Sequence, residues 1–235
     1  MKYLFLSLGL LLSFTALSQV EESKLGSWYM YFYNVNFEES NFGVQGDFQY
    51  RNWNSIGDLE QLLLRSGVTY RTDDSSVLFT LGYANITTGS PGRSSSTINE
   101  NRIYQEALFG QKILQRVHLT HRFRYEQRWI ENQDFRTRLR YNLFINVGLN
   151  SKELVPKTFY TAFYNELFIN GERNNGISEV ELFDRNRTYF GLGYIISNSA
   201  KVQFGWMRQE TETFSKNQLQ FSFHHNLNLK NSDQN

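Results

Sequence analysis

The chain has 235 residues, no cysteine and a formal net charge of +1, from 24 basic and 23 acidic side chains. This balance argues against nucleic acid as a partner, because phosphates favour a strongly basic surface, and no disulfide is available for stability. The mean hydropathy is −0.51 although 16% of the residues are aromatic. That mixture is too polar for a helical membrane protein and typical of a barrel with a wet interior and a lipid-facing exterior.

The first 18 residues have the three parts of a secretory signal peptide. Lys2 supplies a short positive region, residues 3–14 are almost wholly apolar, and Ala16 and Ser18 are the small residues that signal peptidase reads. The apolar run is shorter than the roughly 20 residues of a transmembrane helix. We therefore predict cleavage after Ser18, a mature chain that begins at Gln19, and export through the inner membrane to the cell outer membrane.

The mature chain, residues 19–235, shows period-two alternation throughout and predicts one β domain. Strands are expected near 26–36, 42–53, 60–71, 76–87, 101–112, 116–130, 134–149, 157–169, 183–196, 201–210 and 217–229. Each is close to the roughly 9–11 residues of a tilted membrane strand. The predicted fold class is all-β, a transmembrane antiparallel up-and-down β-barrel. Because such barrels usually have an even number of strands, we allow ten to twelve.

The clearest alternation lies at 135–147, where one face carries seven uncharged residues and the other begins with three arginines. Alternation does not say which face points inwards. We assign the apolar face to lipid because it recurs on so many strands, and because Trp28, Trp53 and Trp129 fall at strand termini, as in an interfacial girdle. Gly191 and Gly193 are expected to face the lumen and leave room for arginines. The connections 87–100 and 170–182 would then be outer loops.

Several arginine- and aromatic-rich motifs recur along the chain: Leu25-Gly26-Ser27-Trp28, Arg65-Ser66-Gly67-Val68-Thr69-Tyr70-Arg71, Asn101-Arg102-Ile103-Tyr104-Gln105, Arg122-Phe123-Arg124-Tyr125-Glu126-Gln127-Arg128, Arg136-Thr137-Arg138-Leu139-Arg140-Tyr141 and Arg185-Asn186-Arg187-Thr188-Tyr189-Phe190-Gly191-Leu192-Gly193-Tyr194. Together they resemble an uncharacterised family, domain of unknown function 2490. The resemblance spans most of the mature chain. It implies an outer-membrane barrel, with outer-membrane lipid and the barrel-assembly machinery as its partners, and brings no activity or catalytic residue with it.

Catalytic and metal-binding patterns are weak. A hydrolase needs a nucleophile held by a histidine that a third group orients, and Ser222 with His224 is the one serine–histidine pair on a shared strand face. Adjacent His224 and His225 point to opposite faces, and the acidic pairs at 38–39 and 73–74 lie in turns. We therefore predict no catalytic residue, no metal site and no cofactor.

The remaining constellation is an arginine array on the predicted lumen face. Its members are Arg51, Arg65, Arg116, Arg122, Arg124, Arg128, Arg136, Arg138, Arg140, Arg185 and Arg187, with Asp47, Glu106, Glu126 and Glu166 as possible carboxylate partners. The hairpin 116–149 alone carries seven of these arginines. Because so few acids are available, we expect unpaired guanidinium groups and a hydrated, positively charged wall with solvent beside Arg138 and Arg140.

The sequence is compatible with four functional hypotheses. The array could line a narrow pore or bind small anionic solutes, or it could fill the interior of a structural barrel. An outer-membrane lipid-modifying hydrolase is an alternative. A soluble periplasmic barrel resembling a lipocalin, with its apolar face inwards, is another. The oligomeric state does not follow from the sequence.

Overall fold

A computed structural model describes residues 24–92 and 95–229. The described chain forms eleven strands: β1 Gly26–Phe37, β2 Phe42–Asn52, β3 Leu59–Arg71, β4 Val77–Gly89, β5 Thr97–Ile113, β6 Val117–Ile130, β7 Arg136–Gly148, β8 Phe159–Asn170, β9 Phe183–Ile195, β10 Ala200–Glu210 and β11 Ser215–Leu229. The predicted signal peptide and the cut before Gln19 lie outside the described residues. Within those residues, no helix is long and apolar enough to cross a membrane.

The eleven described strands close into one barrel in chain order. Every neighbouring pair is antiparallel except β1 and β11, which run parallel from Gly26↔Gln218 to Phe37↔Leu229. The predicted all-β barrel with up-and-down strand order is confirmed, and the strand number of the described chain lies within the range of ten to twelve. Its passage through a membrane stays a prediction. The expectation of an even number is not met, because a parallel seam lets an odd number of strands close without an unpaired edge.

The two faces of the strands differ in chemistry as predicted. On β7, the side chains of Arg136, Arg138 and Arg140 are buried, whereas Leu139 is 56% exposed. On β4, Phe79 and the two alternate residues after it are exposed. The outward face is therefore apolar and the charged side chains point into the barrel, where some apolar residues, such as Ala84 and Ile86 of β4, are also buried. This polarity is opposite to the one that the lipocalin-like alternative requires.

The barrel has two ends that we name by their connections. The loop end carries the connections 53–58, 90–96, 131–135, 171–182 and 211–214, and the turn end carries 38–41, 72–76, 114–116, 149–158 and 196–199. Both predicted outer loops, 87–100 and 170–182, lie at the loop end. The first of them is shorter than predicted because β5 begins at Thr97.

Tyrosines lie over glycines inside the barrel. A Cβ atom on Gly193 would lie 2.1 Å from the ring of Tyr160, and one on Gly191 would lie 2.2 Å from the hydroxyl of Tyr189. The prediction that these glycines make room for arginines is therefore wrong. Aromatic side chains need the space, because a ring can lie flat on a strand only where the neighbouring strand has no side chain.

The tryptophans do not all lie in the predicted girdle. Trp129 is 45% exposed on the outer face, as expected. Trp28 is 3% exposed and belongs to the buried lumen cluster with Tyr160 and Met207, so its assignment to an interface is wrong. The indole of Trp53 donates to the carbonyl of Gly89 at the loop end. The position of Trp28 near a strand end does not fix its face, because this barrel has aromatic residues on both faces.

Candidate anion-binding lumen

Glu126 lies on the inner face of β6 and joins two arginines of β7. Its carboxylate is 2.6 Å from Arg138 and 2.5 Å from Arg140, and the residue is 1% exposed. It also lies 3.6 Å from Arg102. Strand alternation places all four side chains on one face, and the β6–β7 register sets Glu126 directly opposite Arg138. A single carboxylate therefore organises a cluster of guanidinium groups.

The other predicted carboxylates are paired in the same manner. Asp47 accepts from Arg65 at 2.8 Å, and Glu106 forms an ion pair with Arg124. Glu166 joins two strands by accepting from Arg140 at 2.5 Å and Arg122 at 2.6 Å. All four acids expected to face the lumen do so, and each contacts at least one arginine of the predicted array.

Two further carboxylates complete the loop-end half of this network and were missed from the sequence. Glu100 accepts from both Arg102 and Arg128 at 2.6 Å. Asp184 lies 2.8 Å from Arg138 and 2.9 Å from Arg185. The expectation of unpaired guanidinium groups is therefore wrong for Arg138 and Arg140, since both residues are buried and each contacts two carboxylates. Both side chains line the loop-end cavity, and the expected solvent beside them stays a prediction.

Positive charge is nevertheless in excess inside the barrel. Among the described residues, nine arginines and one lysine are buried against six carboxylates. They are Arg51, Arg65, Arg102, Arg124, Arg128, Arg136, Arg138, Arg140, Arg187 and Lys216, with Asp47, Glu60, Glu100, Glu106, Glu126 and Glu166. The predicted positive charge of the lumen is thus correct, although most arginines of the β6–β7 hairpin are paired with carboxylates.

The excess falls on arginines whose partners are neutral. Arg51 donates to Gln49 and Gln61, and Arg187 donates to Gln209. Neither guanidinium has a carboxylate within 4 Å among the residues that the structure describes. Instead they lie 3.8 Å and 4.9 Å from the ring of Trp28. Cation–π contact offsets part of the cost of burial without neutralising the charge.

The remaining members of the predicted array lie near the barrel ends. Arg136 is buried and donates to Gln133 at the loop end. Arg185 is 27% exposed by its side chain and contacts Asp184. Arg116 does not belong to the lumen, because it lies in the β5–β6 turn and donates to backbone carbonyls at 148–151. Arg116 lies an even number of residues before Arg122, as a shared strand face requires, but β6 begins at Val117, one residue after Arg116.

Two cavities occupy the lumen, one on each side of an arginine layer. The loop-end cavity measures about 210 Å³, and the turn-end cavity measures about 380 Å³. Four arginines line both of them: Arg51, Arg65, Arg140 and Arg187. These four side chains lie between the two cavities. Eight arginines but only one carboxylate, that of Glu100, line the loop-end cavity.

The serine–histidine pair meets only the first requirement of a hydrolase. Ser222 Oγ lies 3.0 Å from His224 Nε2, and both residues line the turn-end cavity. The ring of His224 stacks on Phe32 at 4.7 Å. Within residues 24–92 and 95–229, no group hydrogen-bonds to its second ring nitrogen, so nothing orients the imidazole as a general base.

Metal ligands are not assembled in the described part of the chain, where no group of three or more His, Asp or Glu could hold an ion. The acidic turn at 73–74 has another role. Asp74 accepts hydrogen bonds from the hydroxyls of Thr72 and Ser76 and from the Ser76 amide, and these bonds lower the pKa of Asp74 to about 2. They close the β3–β4 turn.

The chain is similar to proteins whose roles are not established. Residues 25–220 match the model of a family described as protein of unknown function, DUF2490. An uncharacterized protein of Methylorubrum extorquens is 30% identical over 182 residues, which cover 73% of this chain and 75% of the relative. No solved structure matches the chain.

Proposed function

This chain belongs to the DUF2490 family of proteins of unknown function, and we propose that it is an outer-membrane β-barrel that binds small anionic solutes in its lumen. The proposal includes export by the predicted signal peptide, insertion by the barrel-assembly machinery and contact with outer-membrane lipid. It combines two independent features, the chemistry of the outer face and the charge of the interior.

The outer face supports residence in lipid. Large apolar side chains are exposed around the whole barrel, for example Tyr50, Leu81, Phe123 and Phe190. Along the described strands, the outward positions carry only Arg208 and Glu210 as charged residues, and these two pair at 2.7 Å near the loop end. A charge at mid-depth in a bilayer costs about 2–4 kcal/mol. An apolar face of this extent on a soluble monomer would instead favour aggregation.

The excess of buried cations carries the anion-binding half of the proposal. An unpaired charge in a protein interior costs several kcal/mol, and Arg51 and Arg187 have neutral partners beside a cavity of about 210 Å³. A small anion in that cavity would neutralise them, and guanidinium groups bind phosphate in bidentate geometry. Because four buried arginines lie between the cavities and narrow the lumen there, we favour a binding site over an open pore.

Inorganic phosphate is a suitable probe, measured by calorimetry on the purified full chain in detergent. We expect Arg187→Gln to weaken phosphate binding about tenfold, since a charge-assisted hydrogen bond contributes about 1.5–3 kcal/mol. Arg187 has no carboxylate partner within 4 Å, so its removal leaves no buried acid unpaired. Arg208→Gln, on the outer face, is the matched control and should bind as the wild type does.

Conductance across a planar bilayer distinguishes the remaining readings. We expect phosphate binding together with little steady current. A large anion-selective current would show that the lumen is a pore and not a binding site. Absence of phosphate binding to the wild type would indicate a structural barrel, whose lumen charges serve only packing.

A further inference from the structure

We propose that the turn-end cavity is a second binding site, and that its ligand is a small organic carboxylate with an apolar body. This cavity shares the arginine layer with the loop-end cavity but adds Arg122, Arg124 and aromatic side chains that the loop-end cavity lacks, so the inference extends beyond the proposed function. Its chemistry follows from two adjacent rows of side chains that cross neighbouring strands.

The first row is polar. Strand register sets Arg122 opposite Asn142, and Asn142 opposite Glu166. The second row lies two residues further towards the turn end on each strand and is aromatic, with Phe144 opposite Tyr164 and Tyr164 opposite Tyr189. Two residues of a strand span about 7 Å. A ligand lying along the barrel axis would therefore contact a charged row with one end and rings with the other.

Hydrogen-bonding groups in the polar row are incompletely used. Arg122 Nε and Asn142 Oδ1 of this row are buried, as is Arg124 Nη1 two residues further along β6, and no other described atom hydrogen-bonds to them. A carboxylate oxygen of Glu106 lies 3.7 Å from Arg122 Nε, and one of Glu126 lies 3.9 Å from Arg124 Nη1. The side chain of Arg124 is 5% exposed, and the Asn142 residue is 2% exposed. Arg122, Arg124 and Asn142 all line the turn-end cavity. Buried polar groups without partners are uncommon, and guanidinium donors at such a position suit a carboxylate.

The aromatic row forms a continuous wall on the turn-end side of these groups. Phe144 and Tyr164 have ring centroids 5.7 Å apart, and Tyr164 stacks on Tyr189 at 4.9 Å. Arg122 joins the two rows, because its guanidinium lies 5.3 Å from the ring of Phe144. On the opposite side of the cavity, Phe32 and Met30 of β1 supply further apolar surface.

The described residues leave the cavity accessible from the turn end. Along β1, Trp28 is 3% exposed, whereas the inward-facing Phe32, Asn34 and Asn36 are half-buried. The same change occurs on β6, where Glu126 is buried and Thr120 is half-buried. A solute can therefore enter at the turn end and reach the polar row without displacing the side chains of the arginine layer.

These features disfavour simpler ligands. An inorganic anion would leave the aromatic wall in water, and an uncharged apolar molecule would leave Arg122 Nε and Arg124 Nη1 without a hydrogen-bond partner. A volume of about 380 Å³ lies at the lower end of small-molecule sites, which are about 300–1,000 Å³. A carboxylate with a short alkyl or aromatic body satisfies both rows.

Octanoate, acetate and 1-octanol test the two rows separately, by calorimetry on the full chain in lipid nanodiscs. We expect octanoate to bind at least about tenfold more tightly than acetate, since each buried methylene contributes to affinity. It should also bind more tightly than 1-octanol. Empty nanodiscs give the contribution of lipid partitioning, and heat-modifiable migration on a gel shows that each variant is folded.

Two variants address one row each. Arg122→Gln should weaken octanoate and acetate about tenfold and leave 1-octanol unchanged, whereas Phe144→Thr should weaken octanoate and leave acetate unchanged. Arg208→Gln is the outer-face control. Equal affinities of octanoate and acetate would overturn the apolar half of this proposal. Absence of octanoate binding would overturn the site, while phosphate binding at Arg187 would remain to be judged by its own experiment.

Discussion

Replacing Glu126 by glutamine should destabilise the barrel although the side chain keeps its shape. Glu126 is 1% exposed and contacts Arg138 at 2.6 Å and Arg140 at 2.5 Å. The substitution removes one negative charge from an interior that already has four more buried cations than carboxylates. Arg138 retains Asp184 and Arg140 retains Glu166, so the network weakens without losing all of its partners.

The expected cost is about 3–5 kcal/mol. A unit charge pair about 4 Å apart, at an effective dielectric constant of about 20, contributes about 4 kcal/mol. Glu126 makes two such pairs, but the neutral amide avoids the desolvation of a carboxylate and keeps one acceptor oxygen. The net figure is therefore that of breaking a buried ion pair, about 3–5 kcal/mol. Solvent screening is small because both arginines are buried.

Equilibrium unfolding in urea from lipid vesicles, followed by tryptophan fluorescence, measures this cost. The double variant Glu126→Gln with Arg140→Gln restores the charge difference, and it leaves Glu166 its contact of 2.6 Å with Arg122. Its loss of stability should be smaller than the sum of the two single losses by at least about 1 kcal/mol. Strict additivity, or a loss below about 1 kcal/mol for Glu126→Gln alone, would refute the network as a source of stability.

Three further expectations concern packing, lipid contact and chemistry. Gly205→Ala should cost about 1–3 kcal/mol, because the new Cβ would lie 2.4 Å from the Phe190 carbonyl oxygen, whereas at Gly110 the nearest atom is 3.8 Å away and alanine should be tolerated. Leu139→Arg should cost about 2–4 kcal/mol in vesicles. A loss below about 0.5 kcal/mol, usual for exposed sites of soluble proteins, would contradict lipid contact. A fluorophosphonate should leave Ser222 unmodified, since His224 has no orienting partner in the described chain, and labelling seen by mass spectrometry would revive the hydrolase reading.

The strands could be predicted from the sequence because each one separates two environments. Wherever polar and apolar residues alternate without interruption, as on β6 and β7, the predicted ends lie within two residues of the observed ones. The parallel pairing of β1 with β11 could not be predicted. It depends on a register between segments nearly 200 residues apart, which no local pattern encodes.

The site was predicted in part, for related reasons. Alternation assigned the arginines to the lumen, but Glu100 was placed in a loop because serine and asparagine precede it, whereas β5 already begins at Thr97. Asp184 was missed because an irregularity at Phe168/Ile169 changes the phase of pairing with β9. Counting acids on regular strands therefore underestimated the neutralisation. The buried atoms of Asn142 and Arg124 that lack a hydrogen-bond partner could be recognised only in the packed structure.

Lipid contact at Trp206 but not at Trp28 tests the central claim of an outer-membrane barrel with a charged interior most directly. Trp206 is 42% exposed on the outer face, and Trp28 is 3% exposed in the lumen. Two variants, each retaining one of these tryptophans with phenylalanine at the other tryptophan positions, would be reconstituted in vesicles containing acyl-chain-brominated lipid. We predict strong quenching of Trp206 fluorescence and little quenching of Trp28. Equal quenching of both, or no quenching of Trp206, would contradict a barrel whose apolar face lies in the bilayer.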